Sequence, residues 1–366
     1  MKVYLYEANA LKDYVSRFFA QLQVPMEEAK IAADVLVSAN LRGIDSHGVI
    51  RLHGYYAGRL RDGRIDPISK LTLVKETPFN LLFDGGNGLG PVIAYWAMKR
   101  CIEKASQTGL SMVGVRNSNH FGIAAYYGMM ALPHGMIGVS LTNSRPLMVP
   151  TYAANAIMGT NPICLTAPAN DEFPFVLDMA TSVVSVGKVQ YHQKKGEPIP
   201  QGWGVDGKGD LTTDPIDVLK GGGVLPLGGD DLHSGYKGYG LSMMVDLLCG
   251  VLSGAAFGME VGHIHEAKPS NVGHFFAAFK IENFIPLNEF KSRMDKFIQN
   301  LKNAEKARVR ERIYIPGEKE FEMEQARTQK GVPLLEDTVE SLSKTGAEVG
   351  VKFDITCLSS EEYKEA

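Results

Sequence analysis

The chain of 366 residues is 45% hydrophobic and 22% charged, a balance that excludes a disordered polypeptide and fits a globular one. Its 38 Lys and Arg stand against 41 Asp and Glu, a net charge of -3, so no overall field draws it to nucleic acid or to an acidic membrane surface. The length is too great for one simple core and predicts two domains or three.

A helical period opens the chain. Over residues 8–42, Leu11, Val15, Phe18, Phe19 and Leu22 share a face, Pro25 interrupts, and MEEAKIAADVLVSANLRG resumes the pattern. The next stretch, GIDSHGVIRLHGYYAGRLRDGR, gathers Asp45, Ser46, His47, Arg51, His53, Arg59 and Arg61. Four uses suit such a cluster: a metal site, a nucleophile with its base, a nucleic-acid patch, or a pocket for a small anion. His47 and Arg51 are four residues apart, so a helix there sets them on one face. A guanidinium grips a carboxylate bidentately, and an imidazole exchanges a proton near neutral pH. Arg59, Arg61 and Arg64 read as solvated side chains of a turn-rich segment.

From about residue 71 the pattern shortens. LTLVKETPFNLLFDGG reads as two strands and a turn, and PVIAYWAMKRCIEKASQTG as a helix opening on Pro91 and closing at Gly109. LSMVGVRNS, MIGVSLTNS and FPFVLDMA are short buried strands, each running into a polar loop; the first leaves His120 where strand meets loop. Residues 196–229, rich in Gly, Pro and Asp, read as loop. YGLSMMVDLLCGVLSGAAFGM is about long enough to span a bilayer, yet Asp246, the glycines and the serines make a buried core helix the better reading. VGHFFAAFKI is a further strand, and LNEFKSRMDKFIQNLKNAEKAR sets Phe290, Met294, Phe297 and Leu301 on one helical face. The sum is a mixed α/β protein with helical ends around a strand-rich middle.

Two glycine-rich stretches imitate phosphate motifs. DGGNGLG has its glycines at 85, 86, 88 and 90, and no register gives G-x-G-x-x-G. GWGVDGKG ends on Gly209 where a magnesium-binding Ser or Thr belongs. A better candidate is FVLDMATSVVSVGK: a strand ending at Leu177, Asp178 as a cap, and a helix opening with Ala180, Thr181 and Ser182 whose N–H groups suit a pyrophosphate. An ordinary strand-to-helix turn is the plain alternative. The His263-Ile264-His265-Glu266 run lacks the companions of a zinc site and reads as solvated loop, so no metal is expected. No G-x-S-x-G elbow signals serine hydrolysis. His47 and His120 each admit a plain reading as hydrogen-bonded structural residues. Cys101, Cys164, Cys249 and Cys357 form no CxxC pair and the N-terminus shows no secretory pattern, so a cytoplasmic location is expected.

Ten blocks in order along the chain carry a resemblance: DSHGVIRL (45–52), NSNHFGIAAYY (117–127), TNSRPLMVP (142–150), GTNPI (159–163), DMATSVVSVGK (178–188), TTDP (212–215), LPLGG (225–229), YKGYGLSMMVDLL (236–248), NVGHFF (271–276) and IPGEKE (315–320). Together they resemble the malate/L-lactate dehydrogenase family of NAD(P)-dependent oxidoreductases that do not use a Rossmann fold. The resemblance implies a non-Rossmann mixed sheet flanked by helices. It implies a helical domain of residues 1–75 with 286–350 that contributes substrate residues, and a central cofactor-binding α/β domain of 76–285. A homodimer with sites near the subunit interface is implied as well.

For the site, the resemblance implies that His47 and Arg51 face a small carboxylate substrate with Ser46 beside them. His120 or His47 moves the proton, with His120 favoured. NAD, with NADP as the alternative, is expected against Asp178, Met179, Ala180, Thr181, Lys237, Gly317 and Glu318. The implied reaction interconverts a 2-hydroxy acid and its 2-oxo acid. Ureidoglycolate dehydrogenases of the family carry a lysine where this chain has Asn143, Ser144 and Arg145. The added guanidinium, with Ser144 beside it, suits a second substrate carboxylate and favours L-malate over lactate, with sulfolactate as a further member of the same class. The competing expectation is NADPH-dependent reduction of cyclic imino acids or diketo sugar acids on the same scaffold.

Overall fold

The computed structural model describes residues 2–262 and 268–362. Strand β1 (Lys2–Tyr6) leads into helices α1 (Ala8–Gln21) and α2 (Met26–Leu41), with Leu11, Val15, Phe18 and Phe19 buried as the period predicts. A 3-10 turn at Asp45–His47 and a π-helical turn at Leu52–Ala57 then run into α3 (Gly58–Arg61). Next come β2 (Thr72–Glu76), β3 (Asn80–Asp84), α4 (Gly90–Thr108), β4 (Leu110–Ser118), α5 (Ala124–Met129), β5 (Met136–Thr142), β6 (Ile163–Ala167) and β7 (Phe175–Met179). Beyond them lie α6 (Val186–Lys195), β8 (Gly204–Val205), β9 (Leu211–Thr212), α7 (Pro215–Leu219), β10 (Gly223–Val224) and α8 (Gly235–Asp246). The chain closes with β11 (Val272–Lys280), α9 (Leu287–Lys302), α10 (Glu318–Lys330), β12 (Val332–Leu335), α11 (Glu336–Glu348) and β13 (Cys357–Glu362).

A seven-stranded sheet in the order β2-β3-β4-β11-β5-β6-β7 forms the centre. Only β3 and β4 pair in parallel, so this is a mixed sheet and not a doubly wound parallel one. The buried central strand β11 comes from late in the chain and separates β4 from β5. A second sheet, β12-β1-β13, knits the two chain ends together, and one apolar core joins Tyr6, Leu11 and Phe18 to Val332, Leu334 and Leu342. Both ends therefore pack as one unit, though through a sheet as well as helices. Residues 196–229 are less formless than their composition suggests, for β8, β9 and β10 pair there over a core of Ile199, Val218 and Val224.

Two expectations need correction. The apolar run of α8 and the π-helical turn after it is not a buried core helix: Tyr236, Met243, Leu247, Val251 and Leu252 stand exposed. On α9 Phe297 and Leu301 are also exposed, and Asp295 and Ile298 are the buried residues, with α9 packed beside the turn between β6 and β7. Arg59 is 2% exposed and not solvated; its guanidinium donates to Ser270 Oγ at 2.7 Å and lies 5.2 Å from the Tyr55 ring centroid. Among the described residues, no helix is long and apolar enough to cross a membrane.

Asp295 shows what holds α9 in place. Its carboxylate accepts from the backbone N–H groups of Asn170, Asp171 and Glu172 at 3.0–3.2 Å. Burial raises its pKa, but those donors outweigh burial and leave it below the usual carboxylate value. Asp295→Ala should cost about 1–2 kcal/mol in a denaturant titration at pH 7, the scale for stranding buried donors. A depressed carboxylate stabilises the fold above its unfolded pKa and stops doing so as pH falls through the folded one. The difference between wild type and variant should therefore shrink below about pH 4.

Candidate active site

Asp45 anchors the start of the site. Its carboxylate takes a bidentate grip from Arg327 on α10, at 2.7 and 3.0 Å, and a bond from Asn40 Nδ2 at 2.7 Å. Asn40 Oδ1 in turn accepts from Val49 N–H, and a Cβ on Gly48 would overlap that carboxamide, which explains the glycine after His47. His47 and Arg51 do meet, but not along an α-helical face. The chain folds back so that Arg51 Nε donates to the Ser46 carbonyl at 2.6 Å, while Ser46 Oγ and His47 Nδ1 lie 2.9 Å apart.

His120 arrives from the other side. The turn after β4 is seated by Asn119, whose Nδ2 donates to the Asn87 and Gly88 carbonyls. The glycine-rich DGGNGLG stretch is thus the seat of a histidine turn, not a phosphate loop. The His47 and His120 rings stack with centroids 5.6 Å apart and planes 20° apart. His120 Nδ1 lies 3.3 Å from Gly122 N and 3.2 Å from Tyr56 Oη, and Tyr55 Oη accepts from His120 N–H. A backbone N–H can only donate, so Nδ1 is the acceptor and the neutral ring carries its proton on Nε2.

Charge governs the pair. Burial and then Arg51 push His47 down to about 4. Burial, Arg51, His47 and His274, in that order, hold His120 well below the ordinary imidazole value. Burial also depresses the guanidiniums of Arg51 and Arg145, and Arg145 feels the charge of Arg51 as well. The arginine of the NSR loop is thus within electrostatic reach of the SHG segment's Arg51. Ser144 spends its Oγ on Thr160 N–H at 3.1 Å and so shapes that loop.

A cavity of about 330 Å³ is lined by Arg42, Asp178, Gly317, Lys319 and Glu320 among others, and by neither histidine nor Arg51 or Arg145. Ile44 and Ala125 on its wall connect it along the chain to His47 and His120. Asp178 does not cap its own helix: β7 continues to Met179, and α6 begins only at Val186. No helix N-terminus exists at residues 180–182, so the pyrophosphate cradle expected there is absent. The cause is contact with distant segments, for Thr181 Oγ1 donates to the Thr160 carbonyl and Ser182 bridges to Pro226, while Ser182 Oγ turns to the Val184 carbonyl.

Asp178 instead accepts from Ala125 N–H at the start of α5, at 2.7 Å. Burial lifts its pKa to about 6, against that bond and the Arg42 charge. Met179 and Ala180 are half-buried at the end of the strand. Gly317, with φ at 92°, packs on Val176 where a side chain would be strained and crowded. Glu318 is turned away from the cavity, holding Lys302 at 2.7 Å and Arg312 at 2.8 Å, while Lys319 and Glu320 line it. Lys237 is exposed on the first turn of α8 and is not on the cavity wall.

Sequence reasoning missed Tyr55, Tyr56, Arg42, Lys319 and Glu320. The tyrosines sit in the π-helical turn, which has no sequence period of its own, and Arg42 looks like an ordinary helix-end cation until Phe321 covers it at 4.4 Å. The His263–Glu266 run lies outside the described residues. Among those that are described, no three His, Cys, Asp or Glu side chains come together as a metal site requires.

The chain thus combines a mixed, non-Rossmann sheet with a stacked pair of buried imidazoles under the charge of Arg51. Residues 6–343 match the model of the malate/L-lactate dehydrogenase family, and the chain belongs to that family. It is 49% identical over 345 residues to the malate dehydrogenase of Pyrococcus abyssi, covering 94% of each chain. It is 36% identical to the malate/(S)-sulfolactate dehydrogenase of Methanothermus fervidus, over 93% of this chain and 97% of the relative. The solved structure of malate dehydrogenase from Pyrococcus horikoshii OT3 superposes with a TM-score of 0.88 at 45% identity, over 96% of this chain and 97% of that one.

An NMR titration of the histidine rings should find His47 protonating near pH 4. A midpoint near the ordinary value of about 6.5 would show that burial and Arg51 do not act on it. Because the folded value lies below the unfolded one, the unfolded chain binds that proton first. The ring therefore removes stability as pH falls from about 6.5 toward 4.

Proposed function

We propose that the protein oxidises L-malate to oxaloacetate with NAD as acceptor, working as a homodimer in the cytoplasm. The observation that carries the substrate is that the charge of Arg51 acts both on Arg145 and on the stacked histidine pair. Two guanidiniums repel each other until a dianion lies between them. A sulfonate in place of one carboxylate satisfies the same pair, and the M. fervidus relative is named for both acids.

Arg51 holds one carboxylate so that the carbinol carbon faces the cavity. Ser46 occupies Nδ1 of His47, leaving Nε2 to take the hydroxyl proton. His120 presents its Nε2–H to the substrate oxygen as a neutral donor, because Gly122 keeps the other nitrogen an acceptor. That pattern favours His47 over His120 as the proton-transfer residue. The nicotinamide, when bound, takes the hydride.

The cavity fits a dinucleotide in its donor set. Asp178 and Glu320 are acceptors for ribose hydroxyls and would oppose a further phosphate, while Arg42 is engaged by Glu324 and Lys319 by the Tyr314 ring. This supports NAD over NADP. The exposed stripe of Tyr236, Met243, Leu247, Val251 and Leu252 supports burial of α8 against a second copy. Four free thiols, three of them buried, support a reducing compartment.

The first test follows nicotinamide absorbance with malate, lactate, sulfolactate and a cyclic imine, before and after chelation. Malate should be preferred and chelation should change nothing; zinc-restored turnover would overturn the metal-free reading. Arg51→Lys should raise KM for every hydroxy acid and cost about 1–3 kcal/mol in kcat/KM, because an ammonium cannot form two parallel bonds to one carboxylate. Arg145→Gln should collapse the preference for malate over lactate by roughly tenfold to a hundredfold, with lactate kinetics nearly unchanged. His47→Ala should lower kcat by about 10²–10⁴ with dinucleotide affinity held. A His47→Ala variant that turns over at the wild-type rate would return the proton to His120.

A further inference from the structure

We propose that Asp246 is a positioning residue that sets the substrate loop and the cofactor turn against each other. The inference rests on the dehydrogenase site described above and adds a residue that touches neither acid nor dinucleotide. Asp246 ends α8 and is buried. Its Oδ1 accepts from Asn143 Nδ2 at 2.9 Å, and its Oδ2 accepts from Asn161 Nδ2 at 3.1 Å. One carboxylate thus holds two carboxamides that come from different loops.

Each carboxamide governs part of the site. Asn143 begins the loop of Ser144 and Arg145, and its other bonds run to the Ala256 carbonyl and from Gly273 N–H. Asn161 Oδ1 accepts from Ser144 N–H at 3.0 Å, so the same side chain that reaches Asp246 also grips the arginine loop. On the other side, the carbonyl of Thr160 accepts from both Thr181 N–H and Thr181 Oγ1, and Thr181 Oγ1 also reaches the Asn161 carbonyl. Asp246, Asn161 and Thr181 therefore form one continuous path from the arginine loop to the turn after Asp178.

The chemistry of the hub selects an ionised acid. Two amide NH₂ groups point at residue 246, and each can only donate in that direction. A carboxylate offers two acceptors, whereas an asparagine would set its own NH₂ against one of them. Leaving such a donor stranded in a buried place is costly, and a half-satisfied network loses its rigidity. Asn161 stands at φ 29°, a backbone conformation that side chains seldom adopt and that the Ser242, Ser144 and Asp246 bonds hold in place.

The experiment measures three quantities on the full-length wild type and on variants: Tm, dinucleotide Kd by fluorescence without acid, and KM for L-malate well below Tm. Asp246→Asn should raise KM about tenfold or more and weaken dinucleotide binding severalfold. The double variant D246N/N161D exchanges donor and acceptor across the 161–246 bond but gives up the bond from residue 161 to the Ser242 carbonyl, so part of the lost KM should return. A purely structural role would lower Tm without moving KM or Kd and would show no recovery in the double variant. The proposal is overturned if D246N keeps both constants within about twofold of wild type, or if the double variant is no better than the singles combined. Should wild type fail with malate, the substrate assignment falls, and Kd across wild type, D246N, N161D and the double variant still decides the role of Asp246.

Discussion

The site depends on keeping imidazole uncharged beside fixed positive charge. With ring centroids 5.6 Å apart, two imidazoliums would repel by about 3 kcal/mol at an effective dielectric constant of about 20, before Arg51 is added. Burial by Tyr55, Tyr56 and the stacked rings removes the water that would otherwise screen this. The free site is therefore a positive pocket with two neutral rings. In the proposed reaction a dianion reverses the balance: it neutralises the guanidiniums and makes an imidazolium tolerable at the moment a proton must be held. Substrate charge and proton transfer are then coupled through one field, and among the described residues no carboxylate bonds to His47 or His120.

Much of this was legible in the sequence, for identifiable reasons. The apolar pattern of residues 8–42 marked α1 and α2 correctly, because α1 buries one stripe and α2 is buried around most of its circumference. Pro91 and Gly109 bounded α4 because each suits only a helix start or a left-handed cap. The DSHGVIRL block pointed to His47 and Arg51 through its residue types. Their actual geometry was hidden, since a 3-10 turn followed by a π-helical turn has no distinguishing pattern, and convergence comes from Arg51 folding back on Ser46.

The misreadings share a cause. DMATS looked like a helix start because Asp178 is a good cap and hydroxyls follow, yet Thr181 found carbonyl partners on a distant loop that sequence spacing cannot show. The apolar run of α8 looked like core because hydrophobicity does not say which side of a helix packs on the protein's own interior. Arg59 looked solvated because its neighbours are turn residues, while Ser270 and Tyr55 enclose it from elsewhere. In each case a long-range contact decided the outcome, and local composition spoke only for the segment itself.

The topology explains why the two halves of the pocket lie so far apart in the sheet's connectivity yet close in space. β4 leads to His120 and β5 leads to Arg145, but these strands do not touch; β11 lies between them. His274 on β11 joins the two, with Nε2 2.8 Å from Ser118 Oγ and Nδ1 2.8 Å from Thr142 Oγ1, and its ring stacked on Phe121. Thr142 Oγ1 lies within reach of the Gly273 carbonyl, so its proton can go there and its oxygen can accept Nδ1–H, leaving Nε2 to accept from Ser118. Burial holds the ring at about 3, so this arrangement does not titrate near neutrality. A residue more than one hundred positions downstream thus fixes the strand ends that carry both functional loops. The pocket cannot exist until β11 has entered the sheet, which places its assembly among the non-local steps of folding.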